Sequence, residues 1–267
     1  MVTIFSIVIV AVAVYIIFRY VFNTKKVDEK LLNSPFPPEW RKILNEKVLY
    51  YKMLPDDRKR EFEKRVKNFI ATKNIHGIDV DIDDTDKLLV ASSAVIPMFA
   101  FAEYNYPNVR EVILYPSSFD DKFRTDADTK GQRDILGMVG NGFMNGTVIL
   151  SKPDLEAAFN GTRHRNNVGI HEFVHLIDKA DGAVDGVPEI LFQHSYALPW
   201  IKEIKKEMQK IKKGHSDINA YALTNNAEFL SVVSEYFFDN PDKMKSRHPE
   251  LYEILTEIYK QQPDKFI

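Results

Sequence analysis

Two histidines stand four residues apart with a glutamate directly after the first: His171-Glu172-Phe173-Val174-His175. On a helix, positions i and i+4 share a face, so both imidazoles can reach one metal ion. Glu172 can then reach a water in the open coordination position. Two His ligands, a polarised water and a carboxylate to take its proton are the parts of zinc-assisted hydrolysis. Phe173, Val174, Leu176 and Ile177 make the segment a buried helix. Asn166 or Asn167 can cap its start, and Asp181-Gly182 is a plausible stop.

A catalytic zinc takes a third protein ligand. The chain has no cysteine, so that ligand must be His, Asp or Glu, and disulfides are excluded. Asp181 falls at the last position of an extended H-E-x-x-H-x-x-G-x-x-H/D pattern, but Asp178 stands where that pattern needs glycine. The other candidate is a glutamate from a later helix. Residues 225–238, NNAEFLSVVSEYFF, carry Glu228 and Glu235 seven apart on one face of an apolar helix. Buried carboxylates there are costly unless paired or bound to metal. Glu228 is expected as the third ligand, with Glu235 either beside a ligand or a structural buried acid. Tyr221 can reach over the site and donate to the oxyanion of a tetrahedral intermediate.

The elements that must position these groups read as an α+β chain, mainly helical with a small sheet. In its 267 residues, 45% are hydrophobic and 28% charged, which suits one sizeable domain with an appendage. The formal net charge of -2 gives no basic field for nucleic acid. Residues 1–22 form an apolar stretch long enough to span a bilayer, with Lys25-Lys26 just beyond it. The positive-inside rule then puts the main domain, residues 39–267, in the cytoplasm, with residues 23–38 as a proline-rich linker. Short helices are expected near 39–49 and 154–159. Longer ones are expected over 56–72, 85–101, 198–213 and 249–259. Residues 78–82 alternate apolar and acidic and predict a strand, as do 109–115 and 147–150. Residues 137–146, with four glycines, predict a loop. The 147–150 strand is either an internal strand or an edge beside the metal helix, able to pair with an extended substrate. Residues 120–134 and the basic Arg163-His164-Arg165 read as polar loops.

With these residues in view, the chain resembles the MtfA family, the Mlc titration factor A or glucose-regulated metallopeptidases. The resemblance rests on Leu54-Pro55, Tyr106-Pro107-Asn108-Val109 with Val112 to Pro116, and the His171 to Gly182 motif. It is completed by Ala227-Glu228-Phe229 with Ser234-Glu235-Tyr236-Phe237-Phe238. It covers roughly residues 36–259. It implies a gluzincin-like zinc peptidase domain preceded here by one transmembrane helix. Zn2+ would be held by His171, His175 and Glu228, with Glu172 as base and Tyr221 as the active-site tyrosine. Asp178 would orient a ligand histidine. The implied substrate is a peptide or protein, with a free N-terminus as one possibility. The best-known members of that family are soluble cytosolic proteins that bind a glucose-responsive transcriptional repressor, and the apolar N-terminus is a departure from them. The rival reading is a regulatory module that sequesters a protein partner and keeps its zinc site structural or latent.

Overall fold

The structure is a computed structural model that describes residues 27–101, 104–118, 137–140, 146–160, 167–191 and 197–266. The apolar segment 1–22, the polar stretch 120–134 and the basic loop 163–165 lie outside the described residues. Among the described residues no helix is long and apolar enough to cross a membrane.

The stretch expected as a linker carries a helix, α1 (Glu29–Asn33), capped by the Asp28 side chain. It is held down by Lys67, whose ammonium donates to the Leu32 and Ser34 carbonyls. Helices α2 (Pro38–Lys47), α3 (Leu49–Met53) and α4 (Asp56–Thr72) follow. In α4, Phe62, Val66, Phe69 and Ile70 recur at helical spacing and are buried.

The first strand departs from expectation. β1 is Asn74–Gly77, not residues 78–82. Asp79 adopts φ +55, which breaks an extended chain. Asp79 and Asp81, the alternating acids, lie in the bend that leads to the next helix, α5 (Asp84–Val95). Asp83 and Asp86 form a reciprocal capping box, and Lys152 pairs with Asp86 at 2.9 Å. Beyond it come β2 (Glu111–Tyr115), β3 (Gly137–Val139), β4 (Thr147–Ser151) and α6 (Lys152–Ala158). The sheet order is β1-β2-β4-β3, parallel except that β3 runs antiparallel to β4, with Met138 opposite Ile149.

This order decides the two readings of the glycine-rich region. Thr147–Ser151 is internal and buried at every position. Gly137–Val139, a stretch read from the sequence as loop, is an edge strand. Its glycine and short length hide it from a propensity argument, and only pairing with β4 makes it a strand.

The remaining helices are α7 (Val168–Asp178), α8 (Ala197–Lys212), α9 (Asn226–Asp239), α10 (Pro241–Arg247) and α11 (Pro249–Tyr259). Val112, Leu114, Val148 and Leu150 join the main core, while Ile113 and Ile149 point to the other face, as a strand's period of two requires. α7 packs on β3, β4, α5 and α9. Its approach to α5 is close: a Cβ on Gly169 would lie 2.1 Å from Ser93 Oγ and 2.7 Å from Ser93 Cβ. Gly169→Ala is therefore expected to cost about 1–3 kcal/mol in denaturant unfolding, as overpacking does. Ser93→Ala in the same chain should recover part of the loss, and an unchanged midpoint in the single variant would contradict this crossing.

Candidate metal centre

Asparagine caps fix the two helices that build the site. The Asn167 side chain accepts the Ile170 N–H at 3.1 Å, so α7 begins at Val168, three residues before His171. Asn225 does the same for α9, accepting from the Glu228 N–H at 2.9 Å. Glu228 thus lies in a first helical turn, where the helix dipole favours a carboxylate.

Packing of α7 on α9 brings the three side chains together. Glu228 Oε2 is 3.0 Å from His171 Nε2 and 3.4 Å from His175 Nε2, and the two imidazole nitrogens are 3.1 Å apart. Among the described residues, His171, His175 and Glu228 form the one group of three able to hold a metal ion. Asp181 is elsewhere: its carboxylate accepts the Ala183 and Glu189 N–H groups and shapes the turn after α7.

The backs of the histidines are also held. Glu235 Oε1 meets His171 Nδ1 at 2.6 Å, and its Oε2 accepts the Asn167 N–H at 2.6 Å. Ser231 Oγ lies 3.3 Å from His175 Nδ1 and 3.3 Å from the His171 carbonyl. Glu228, Ser231 and Glu235 are spaced three and four apart, one face of α9. Ser231 was not anticipated, although that spacing was its signal. Asp178 does not hold a histidine. Its Oδ2 accepts the Gly186 N–H at 3.0 Å, and the Gly186 carbonyl accepts the Trp200 indole N–H at 2.6 Å. Gly186 takes φ +77 and a Cβ there would lie 2.3 Å from the Asn226 carbonyl oxygen, so this turn packs directly on the start of α9.

The electrostatics favour a positive charge at the centre. Burial works against a charged His171, but its bonds to Glu228 and Glu235 prevail and push it up to about 10. Burial likewise opposes a charged Glu228, yet the two histidines hold it down at about 2. Glu172 is buried at 6% exposure, and desolvation raises its carboxyl. It lies against the edge strand: a Cβ on Gly137 would fall 2.6 Å from Glu172 Cγ and 2.7 Å from its Oε1. The Tyr221 ring is centred 6.0 Å from the His171 ring and is 43% exposed.

A family model for glucose-regulated metallo-peptidase M90 matches residues 22–260. The chain belongs to this family. It is 26% identical to an uncharacterised protein of Synechocystis, over 88% of each chain. It is 24% identical to a Mlc titration factor A of Klebsiella pneumoniae, over 89% of this chain and 91% of that one. The Escherichia coli K12 protein of that name matches at the same identity and coverage. Membership in the M90 family makes the chain a metallopeptidase in type and implies a metal, typically zinc. The donors present fit one. Tetrahedral bonds of roughly 2.0–2.1 Å set donor atoms about 3.3 Å apart. The triangle here has sides of 3.0, 3.1 and 3.4 Å. A carboxylate on the far nitrogen of a histidine, as Glu235 is on His171, is the usual support of a metal-binding imidazole.

The M90 chain carries its Tyr221 segment on a second ionic cluster that sequence patterns did not reveal. Asp217 accepts from His248 at 2.9 Å, Tyr236 at 3.1 Å and Lys243 at 2.9 Å. His248 is 4% exposed, and its other nitrogen meets Glu207 of α8 at 3.0 Å. Burial opposes the imidazolium, but the two carboxylates win and raise it. Asp217 is held down at about 2, its hydrogen bonds outweighing desolvation. A raised histidine stabilises fully below its unfolded value, about 6.5, and that contribution fades as pH rises through the folded value. The Tm difference between the wild type and His248→Gln should be largest near pH 6 and shrink as pH rises. A difference that grew with pH would exclude a charged His248.

Proposed function

We propose that this chain is a zinc-dependent peptidase with a gluzincin-like site, anchored to a membrane by residues 1–22 with its catalytic body on the cytoplasmic side. The observation that carries the reading is the triangle of His171 Nε2, His175 Nε2 and Glu228 Oε2, with Glu172 buried beside it. Zinc held there supplies Lewis-acid polarisation and a water acidified to near neutrality. Glu172 takes the proton of the attacking water and passes it to the leaving amine; its raised carboxyl suits both duties. Glu235 keeps the His171 Nδ1 proton occupied, so Nε2 presents a lone pair. Tyr221 donates its hydroxyl to the developing oxyanion, and its exposure leaves room for substrate to lie between it and the helix. The strand β3 has one free edge among the described residues. An extended substrate pairing there would run past Glu172. A short peptide or a free N-terminus suits this arrangement.

Three variants test the assignment on the full chain, each read by bound metal and by peptide hydrolysis. Glu172→Gln should keep one zinc and lose hydrolysis by a factor of about 10²–10⁴. Glu235→Ala should weaken metal binding by about 10–100-fold, as loss of such a support does. Gly137→Ala should keep zinc but slow hydrolysis, because its Cβ displaces Glu172. Full turnover by Glu172→Gln would remove this mechanism.

The name of the relatives, Mlc titration factor A, favours a second reading in which the domain binds a regulatory protein. Zinc bound without hydrolysis in the wild type, together with a partner retained equally by Glu172→Gln, would select it. For the anchor, the full chain should sediment with membranes and a chain starting at residue 27 should not. Equal partitioning of the two would eliminate a spanning segment.

A further inference from the structure

Tyr221 stands on a short turn between α8 and α9. Its ring is exposed, whereas Ile218 and Ala222 beside it are buried, so the backbone of the turn sets where the ring lies. The turn, Ala220–Leu223, is closed locally. The Asn219 side chain accepts the Tyr221 N–H at 2.9 Å, and the Tyr221 carbonyl accepts the Thr224 N–H at 3.0 Å. Asp217, four residues before Tyr221, ties this turn to three other elements.

One oxygen of Asp217 accepts the Tyr236 hydroxyl of α9 and meets Lys243 and Arg247 of α10, at 3.1, 2.9 and 3.6 Å. The two α10 cations are exposed, and exposed pairs hold a geometry weakly. The other oxygen meets His248 Nε2 at 2.9 Å. His248 is buried and placed by backbone at the junction of α10 and α11: its N–H donates to the Met244 carbonyl, and its carbonyl accepts the Tyr252 N–H. Behind it, Nδ1 meets the buried Glu207 of α8 at 3.0 Å.

Both ring nitrogens thus face a carboxylate. A neutral imidazole has one N–H, so only the imidazolium donates to both at once. Charge-assisted bonds of this kind are the strong ones, and burial keeps water from competing for them. The line Glu207–His248–Asp217 runs from α8 through the α10–α11 junction to the segment that carries Tyr221. Tyr236 joins the line to α9, which also carries Glu228, so the tyrosine and the third ligand share one frame.

We propose that His248 is a positioning residue for hydrolysis: acting through Asp217, it holds the Tyr221 turn in place beside the metal centre. This rests on the reading of Tyr221 as the oxyanion donor. Neither hydrogen bond of the imidazole reaches a metal ligand, so its loss is felt in turnover and not in bound zinc.

Two measurements on the full chain test this. Backbone hydrogen exchange needs neither metal nor activity. In His248→Gln the amides of Tyr221, Ala222 and Thr224 should exchange at least about tenfold faster, beyond any change shared with α4 and α7. Tyr252→Phe, which removes a hydrogen bond from α11 to Asp264 without touching the line, should not open the turn. In peptide hydrolysis, His248→Gln should keep one zinc and lower kcat about 10–100-fold, with KM within about twofold. In a Tyr221→Phe background the same change should cost less than about twofold, because the two act as a unit. Glu207→Gln, which loosens the line from behind, should show both effects in weaker form even if His248→Gln fails to fold. Unchanged exchange over 219–224, or losses that add in the double variant, would overturn the proposal. An opened turn beside a wild type without hydrolysis would instead refute the peptidase reading and leave His248 as the support of Tyr221.

Discussion

Glu235 is the constraint on which the candidate centre depends. One buried carboxylate binds two points of α7: the N–H of its capping residue Asn167 and the Nδ1 of His171. Its two bonds are both 2.6 Å, and they join residues four apart, just over one helical turn. The register of α7 on α9 is thereby fixed where a shift of one residue would carry His171 away from Glu228. Asn167 adds to the same joint, since its side chain caps α7 and also meets Asp239 of α9. A buried acid is ordinarily a liability, and this one is tolerated because both oxygens are satisfied.

The rest of the molecule serves that joint at a distance. β4 and β3 give α7 a wall, and the contact of Gly137 with Glu172 leaves no space there for a side chain. Gly169 allows α7 to press onto α5, so the helix is held from a second side. The turn after α7 is tied to α8 and to the start of α9 through Asp178, Gly186 and Trp200. These are short, local contacts of small groups, which transmit position well because close-packed interiors have little slack.

Charge is arranged in two clusters of opposite consequence. Around His171 the carboxylates of Glu228 and Glu235 create a demand for positive charge, which a divalent cation meets more fully than a proton. Around His248 the carboxylates of Glu207 and Asp217 are already met by the imidazole and by Lys210 and Lys243. The first cluster is therefore suited to a ligand and the second to holding a segment. Both are histidine between two acids, and the difference lies in whether further donors complete the set.

Much of the site was legible in the sequence, and for a physical reason. Helical spacing is a local property: His171, Glu172 and His175 share a turn, Glu228 and Glu235 share a face, and asparagines mark both helix starts. The elements with long apolar periodicity, α4, α7, α8, α9 and α11, were legible for the same reason. Tertiary structure alone decided what depends on pairing between distant segments. It made Gly137–Val139 an edge strand and buried Thr147–Ser151 in the middle. It bent the chain at Asp79 where a strand face was expected, gave His171 to Glu235 rather than Asp178, and set His248 against Asp217 across 31 residues. No period or spacing encodes such contacts, because they arise only when separately stable elements settle into one packing.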